Sequence, residues 1–218
     1  MPDSLSDLAP LPKGSPQLRR LTIGAAAVIT LLGTIGTALS PWLLVHMPLM
    51  LVALSPDVRH LVLVAAAADF LPVLLVSEPR RAAGLLAMYG IGWFYGPVAL
   101  AWFEQQAPRF GGVLRWCERQ FARFGAPLLI VFPMYTFGAL AGAARTRFRV
   151  FLPAMLAGQA IYITTSYYFG DAMRGWTKPF LAFLGEHVVA ATAICVTAVV
   201  LQQGWSRLRK RSTEPSLE

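Results

Sequence analysis

The chain has 218 residues, of which 56% are hydrophobic and only 14% charged, and its mean hydropathy is +0.55. That composition reads as an all-α integral membrane protein and not as a soluble domain. The net charge of +8 does not indicate nucleic acid: Arg19 and Arg20 precede the first apolar segment, and Arg207, Arg209, Lys210 and Arg211 come after the last, as topology signals beside anionic headgroups do.

In chain order, residues 1–20 carry Pro2, Pro10, Pro12 and Pro16 and are predicted to be a disordered cytoplasmic tail. Residues 21–39 are long enough to span; Ala38 and Ser40 mimic a cleavage site, but Pro41 argues against processing there. The apolar stretch 41–54 is shorter than the ~20 residues a span requires and is predicted to be re-entrant or half-inserted. Residues 61–76 carry Asp69 and Pro72, and 84–103 contain Gly92-x-x-x-Gly96, a pattern for close helix contact. From there Phe103, Ala107, Phe110, Leu114, Cys117, Phe121 and Phe124 recur at steps of four and three, with Glu104, Arg115, Glu118 and Arg123 off the stripe. That pattern predicts an interfacial amphipathic helix, ordered over 113–124, with a cytosolic helix packed on the bundle as the alternative.

Segments 125–144, 150–170 and 180–203 complete about six transmembrane helices with one or two re-entrant Pro/Gly-broken hairpins. They form a single membrane domain over 21–203, with a basic cytoplasmic tail at 204–218. Arg80, Arg81 and the Arg145–Arg149 cluster then share the cytoplasmic side with both termini.

Two blocks repeat one pattern. Pro48 to Pro56 is apolar, crosses Asp57-Val-Arg59-His60 and resumes to Pro72; Pro127 to Pro133 is apolar, continues through Gly138 and Gly142, crosses Arg145 to Arg149 and resumes to Pro153. Freed backbone groups have no water to bond in lipid, so such breaks belong inside protein or beside a cavity. Broken helices in corresponding positions of two halves mark transporter-type sites; two ordinary kinked hairpins are the alternative. Pro72, Pro133 and Gly142 are the expected re-entrant hinges.

Asp69, in an apolar run, is the first candidate for proton or ion coupling, because a charged Asp there costs ~2.5–3.5 kcal/mol on insertion scales. A neutral or helix-capping role beside Pro72 is its alternative. Glu78, in Ser77-Glu-Pro-Arg-Arg81, is the second candidate or else an interfacial cap paired with arginine. Arg59, Arg145, Arg147 and Arg149 are candidate lipid-phosphate ligands or plain topology signals, since guanidinium matches phosphate bidentately.

Cys117 and Cys195 lie far apart, and His46, His60 and His187 have no ligand spacing, so no metal or cofactor is expected. The serines have no Gly-x-Ser-x-Gly context and no His-Glu-x-x-His is present, so no enzyme is expected.

From about residue 65 to 170 the chain resembles the DedA-type, or VTT-domain (SNARE-associated Golgi type), membrane proteins. Asp69-Phe-Leu-Pro72 is similar to the acid ahead of Pro in the family's first re-entrant segment, and Tyr89-Gly-Ile-Gly92-Trp-Phe-Tyr-Gly96 to its Tyr-Gly element. Arg123-Phe-Gly125 resembles the end of the family's amphipathic stretch. Pro133, Ala141-Gly142 and Arg147-Phe-Arg149-Val-Phe151 resemble its second re-entrant element, as does Gly158 with the aromatic helix to Gly170. Three positions where the family carries arginine hold Phe132, Thr136 and Trp93 here.

The resemblance implies a lipid transporter or scramblase that moves phospholipid or polyprenyl-phosphate headgroups across the bilayer, with proton coupling as an option. It also implies a bacterial cytoplasmic membrane location, membrane lipids as partners, no nucleic acid, and a homo-oligomer left open. A scaffold or assembly protein without transport is the other reading.

Overall fold

The structure, a computed structural model, describes residues 16–106 and 127–211. Among them the regular structure is all helix, with no strand. The helices are α1 (Pro16–Ala38), α2 (Ser40–His46), α3 (Pro48–Leu54), α4 (Val58–Val64) and α5 (Phe70–Gln106). A helical stretch 127–131 precedes α6 (Tyr135–Ala143), α7 (Phe148–Ala172), α8 (Arg174–Glu186) and α9 (Val188–Arg211). The amphipathic helix expected at 113–124 lies outside the described residues.

Proline sets several boundaries. α1 opens at Pro16, inside the stretch read as tail, where a missing N–H costs nothing in the first turn. Pro41 and Pro48 likewise sit in the first turns of α2 and α3, and Met47 between them leaves helical geometry at φ −144°, ψ 65°. Pro72 falls in the first turn of α5, while the break itself covers residues 65–69. Pro133 lies within the non-helical residues 132–134. α5 continues through residues 77–83, which the hydropathy pattern placed between two segments.

α1 is long and apolar enough to cross a membrane. Among the described residues the bent pair α8 and α9, turned by 92° at His187, is the one other candidate.

The chain divides into two units, one formed by Met1–Ile29 with Glu78–Ile163, the other by Thr30–Ser77 with Thr164–Glu218. The first has a core of Leu85, Leu129, Ala141, Phe151 and Met155, all without exposed surface. Glycines bring its backbones together: Gly92 faces the carbonyl of Ala139, and Gly142 faces the main chain of Tyr89 and Trp93. A Cβ at either would overlap backbone atoms, so Gly92-x-x-x-Gly96 on α5 works with Gly138-x-x-x-Gly142 on α6. Gly158 on α7 meets Leu129 and Ile130 in the same way.

In the second unit, Gly36 packs on Leu54 and Ser55, and Gly170 on the main chain of Val62. Its break at 65–69 is held from α7 and α8: Tyr167 Oη donates to the Ala68 carbonyl at 2.9 Å, and Arg174 Nη2 donates to the Ala65 carbonyl at 3.0 Å.

Candidate functional site

A buried polar cluster in the first unit forms around Arg81, which is only 5% exposed. Its Nε donates to Gln159 Oε1 at 3.0 Å and its Nη2 to the Pro133 carbonyl at 3.1 Å. The guanidinium carbon lies 4.0 Å from the Tyr162 ring centroid and 5.9 Å from that of Tyr135. Gly84, three residues along α5, leaves room for the Tyr135 ring, since a Cβ there would approach Cε1 to 2.6 Å. Arg81 therefore bonds a helix break, an amide and two aromatic faces at once.

Two features of the cluster are unsatisfied. Gln159 has no exposed surface, and its Nε2 has no hydrogen-bond partner. Because a guanidinium N–H can only donate, the Arg81 contact fixes Oε1 toward it and leaves the amide's two N–H donors facing other atoms. Glu78, one turn before Arg81 on α5, has both carboxylate oxygens shielded from solvent and no hydrogen-bond partner for either. Shielding without a partner disfavours the charged form of the Glu78 carboxyl. The cluster thus joins a fixed cation, unfilled amide donors and an acid biased toward its neutral form.

The other nominated residues are dispersed. Asp69 is exposed and immediately precedes α5, where an acid favours the positive end of a helix. Arg59 is exposed, lies 3.5 Å from Asp57, and donates to Thr37 Oγ1 at 3.1 Å. Beside it His60 is buried, with its Nδ1–H donating to the Ser55 carbonyl at 2.7 Å; burial holds the imidazole below its usual value.

Arg145 adopts the left-handed region at φ 54° after α6 and stacks on Trp93, 4.2 Å from the ring centroid. Arg147 and Arg149 are exposed on either side of the first residue of α7. Pro72 and Pro133 lie in a first turn and a break respectively, and Gly142 is a buried contact within α6.

Sequence reasoning missed Arg81, Gln159, Tyr135 and Tyr162. Placing a boundary through 77–83 hid the one-turn spacing of Glu78 and Arg81. Gln159 was visible as a lone amide in an apolar run, which is itself a signal inside a membrane. Among the described residues no group of three or more His, Cys, Asp or Glu is placed to hold a metal ion. No family model, curated protein or solved structure matches the chain.

Proposed function

We propose that this chain is a DedA/VTT-type integral membrane protein that moves phospholipid or polyprenyl-phosphate headgroups across the bilayer. It would do so in a bacterial cytoplasmic membrane. The observation that carries the reading is the Arg81 cluster: a buried guanidinium bonded to a helix break, beside an acid whose shielded carboxylate oxygens have no hydrogen-bond partner and beside unfilled amide donors.

A headgroup phosphate needs donors. Arg81 supplies positive charge, and Gln159 Nε2 supplies two N–H groups with no other partner. Protonating Glu78 raises the net charge of the cluster by one and favours an anion; losing that proton restores the carboxylate and expels it. Proton coupling thus falls to Glu78, with Asp69, just before α5, a second carrier. Exposed Arg59, Arg145, Arg147 and Arg149 are left for headgroup attraction and orientation.

Purified protein in vesicles with headgroup-labelled anionic lipid tests this directly. Transfer of label between leaflets faster than in protein-free vesicles is the expected result. No acceleration with either phospholipid or polyprenyl phosphate would leave the scaffold reading.

A further inference from the structure

α8 has three distinct faces. Thr177 and Leu184 are buried, with Leu181 half-buried between them, so one face packs on the protein. Trp176, Phe180 and Phe183 form a second face at steps of four and three, and they are 82%, 47% and 60% exposed. His187 extends the stripe by stacking on Phe183, ring centroids 4.7 Å apart. The third face carries Gly175, Lys178, Gly185 and Glu186, all small or charged except for the aliphatic stem of Lys178. On helix geometry the aromatic stripe lies roughly a third of a turn from the buried face.

The direction of α8 relative to α9 says what covers that stripe. The two helices belong to the same unit and meet at 92°. α9 exposes Val189, Ile194, Val200 and Leu201 to between 63% and 80%. Side chains of that kind need acyl chains around them, which sets α9 across the bilayer. A right-angle bend at His187 then lays α8 in the plane of the surface. Trp and Phe on one face with charge on another are the composition of a helix seated at headgroup level.

We propose that α8 is an in-plane anchor whose Trp176–Phe180–Phe183 face sits in the lipid surface, while α9 alone forms the last span. This rests on the proposed membrane location, but it differs from a span beginning at residue 180. The occupant of the aromatic face is lipid, neither a second protein nor water. The anchor fixes the depth of the 65–69 break, because α8 carries the Arg174 contact to Ala65.

The test places a cysteine-directed fluorophore on full-length protein carrying Cys117→Ser and Cys195→Ser. Trp176→Cys, Phe180→Cys and Phe183→Cys report α8, and Ile194→Cys reports α9. Each is reconstituted in phosphatidylcholine–phosphatidylglycerol vesicles containing nitroxides near the headgroup or near the end of the acyl chain. The expected result is equal, shallow quenching at 176, 180 and 183, with stronger deep quenching at 194. Depth increasing steadily from 176 to 183 would mean a broken span and would overturn the proposal. So would unquenched α8 labels beside a deeply quenched 194, which would put the stripe in water or under protein. Absence of quenching at 194 as well would remove the membrane reading and the proposal together.

Discussion

Arg81 donates from Nη2 to the carbonyl of Pro133 at 3.1 Å, so a buried guanidinium bonds the main chain where the helix breaks between residues 131 and 135. A proline-broken helix leaves carbonyls without partners, and away from water each costs about 1–3 kcal/mol. The second unit answers the same need at residues 65–69 with Tyr167 and Arg174. In both units a side chain from a different element completes the broken backbone, which makes each break a fixed feature and not a loose joint.

Arg81→Ala is therefore expected to cost about 1–3 kcal/mol for each of the two acceptors it leaves unpaired, Gln159 Oε1 and the Pro133 carbonyl. Arg81→Lys should fall between Ala and wild type, since it keeps charge but loses the fork. Denaturant unfolding in detergent micelles measures both. A loss below about 1 kcal/mol for Ala would mean that the break does not depend on Arg81.

Much of the fold was legible because proline and glycine act locally. Pro48 and Pro133 sit at or beside real breaks, and Gly92-x-x-x-Gly96 lies against α6, as small residues in an apolar run suggest. The candidate site was less legible. Hydropathy marked residues 77–83 as a gap, yet the chain stays helical there and Arg81 is buried. Charge alone could not separate a buried arginine from Arg80 beside it, because the direction a helix face takes is decided by residues far along the chain. Gln159 is 78 positions away from Arg81, and only the fold brings them together.

The α5–α6 contact gives a sharp steric expectation. A Cβ on Gly142 would overlap the Tyr89 carbonyl and approach the Trp93 nitrogen to 2.7 Å, so Gly142→Ala should cost at least about 1–3 kcal/mol. Gly24→Ala is the control: nothing lies within 4 Å, and better helix propensity should make it neutral or stabilising by up to about 1 kcal/mol. Thermal unfolding of the two variants would distinguish them; equal midpoints would argue against backbone contact.

Glu78 gives a pH expectation with a definite sign. Both its carboxylate oxygens are shielded from water with no hydrogen-bond partner, so the folded state favours the neutral acid. Its contribution is most favourable below the unfolded pKa and is lost as pH rises through the folded one. Glu78→Gln keeps the size and stays neutral, so its stability should vary less with pH over that window. Unfolding of both proteins on an acid-to-neutral series checks this, and identical slopes would mean that Glu78 does not titrate abnormally.

Arg145 combines backbone strain with a stacking contact. A left-handed conformation costs a residue with a Cβ about 1–2 kcal/mol, and the Trp93 contact returns about 0.5–1 kcal/mol. Arg145→Ala loses the stack and keeps the strain, whereas Arg145→Gly loses both. The glycine variant should be more stable than the alanine variant by roughly 1 kcal/mol. The reverse order would show that φ here is relaxed in the folded protein.

The Arg81 cluster as the route for a lipid phosphate is tested most directly by translocation with folded variants. Wild type, Arg81→Lys and Glu78→Gln would be reconstituted at equal density after confirming matched helicity, and transfer of labelled anionic lipid monitored at several pH values. Wild type should accelerate transfer in a pH-dependent way, Arg81→Lys should lose most of it, and Glu78→Gln should lose the pH dependence. Transfer by Arg81→Lys at the wild-type rate, with pH dependence unchanged in Glu78→Gln, would contradict the proposal.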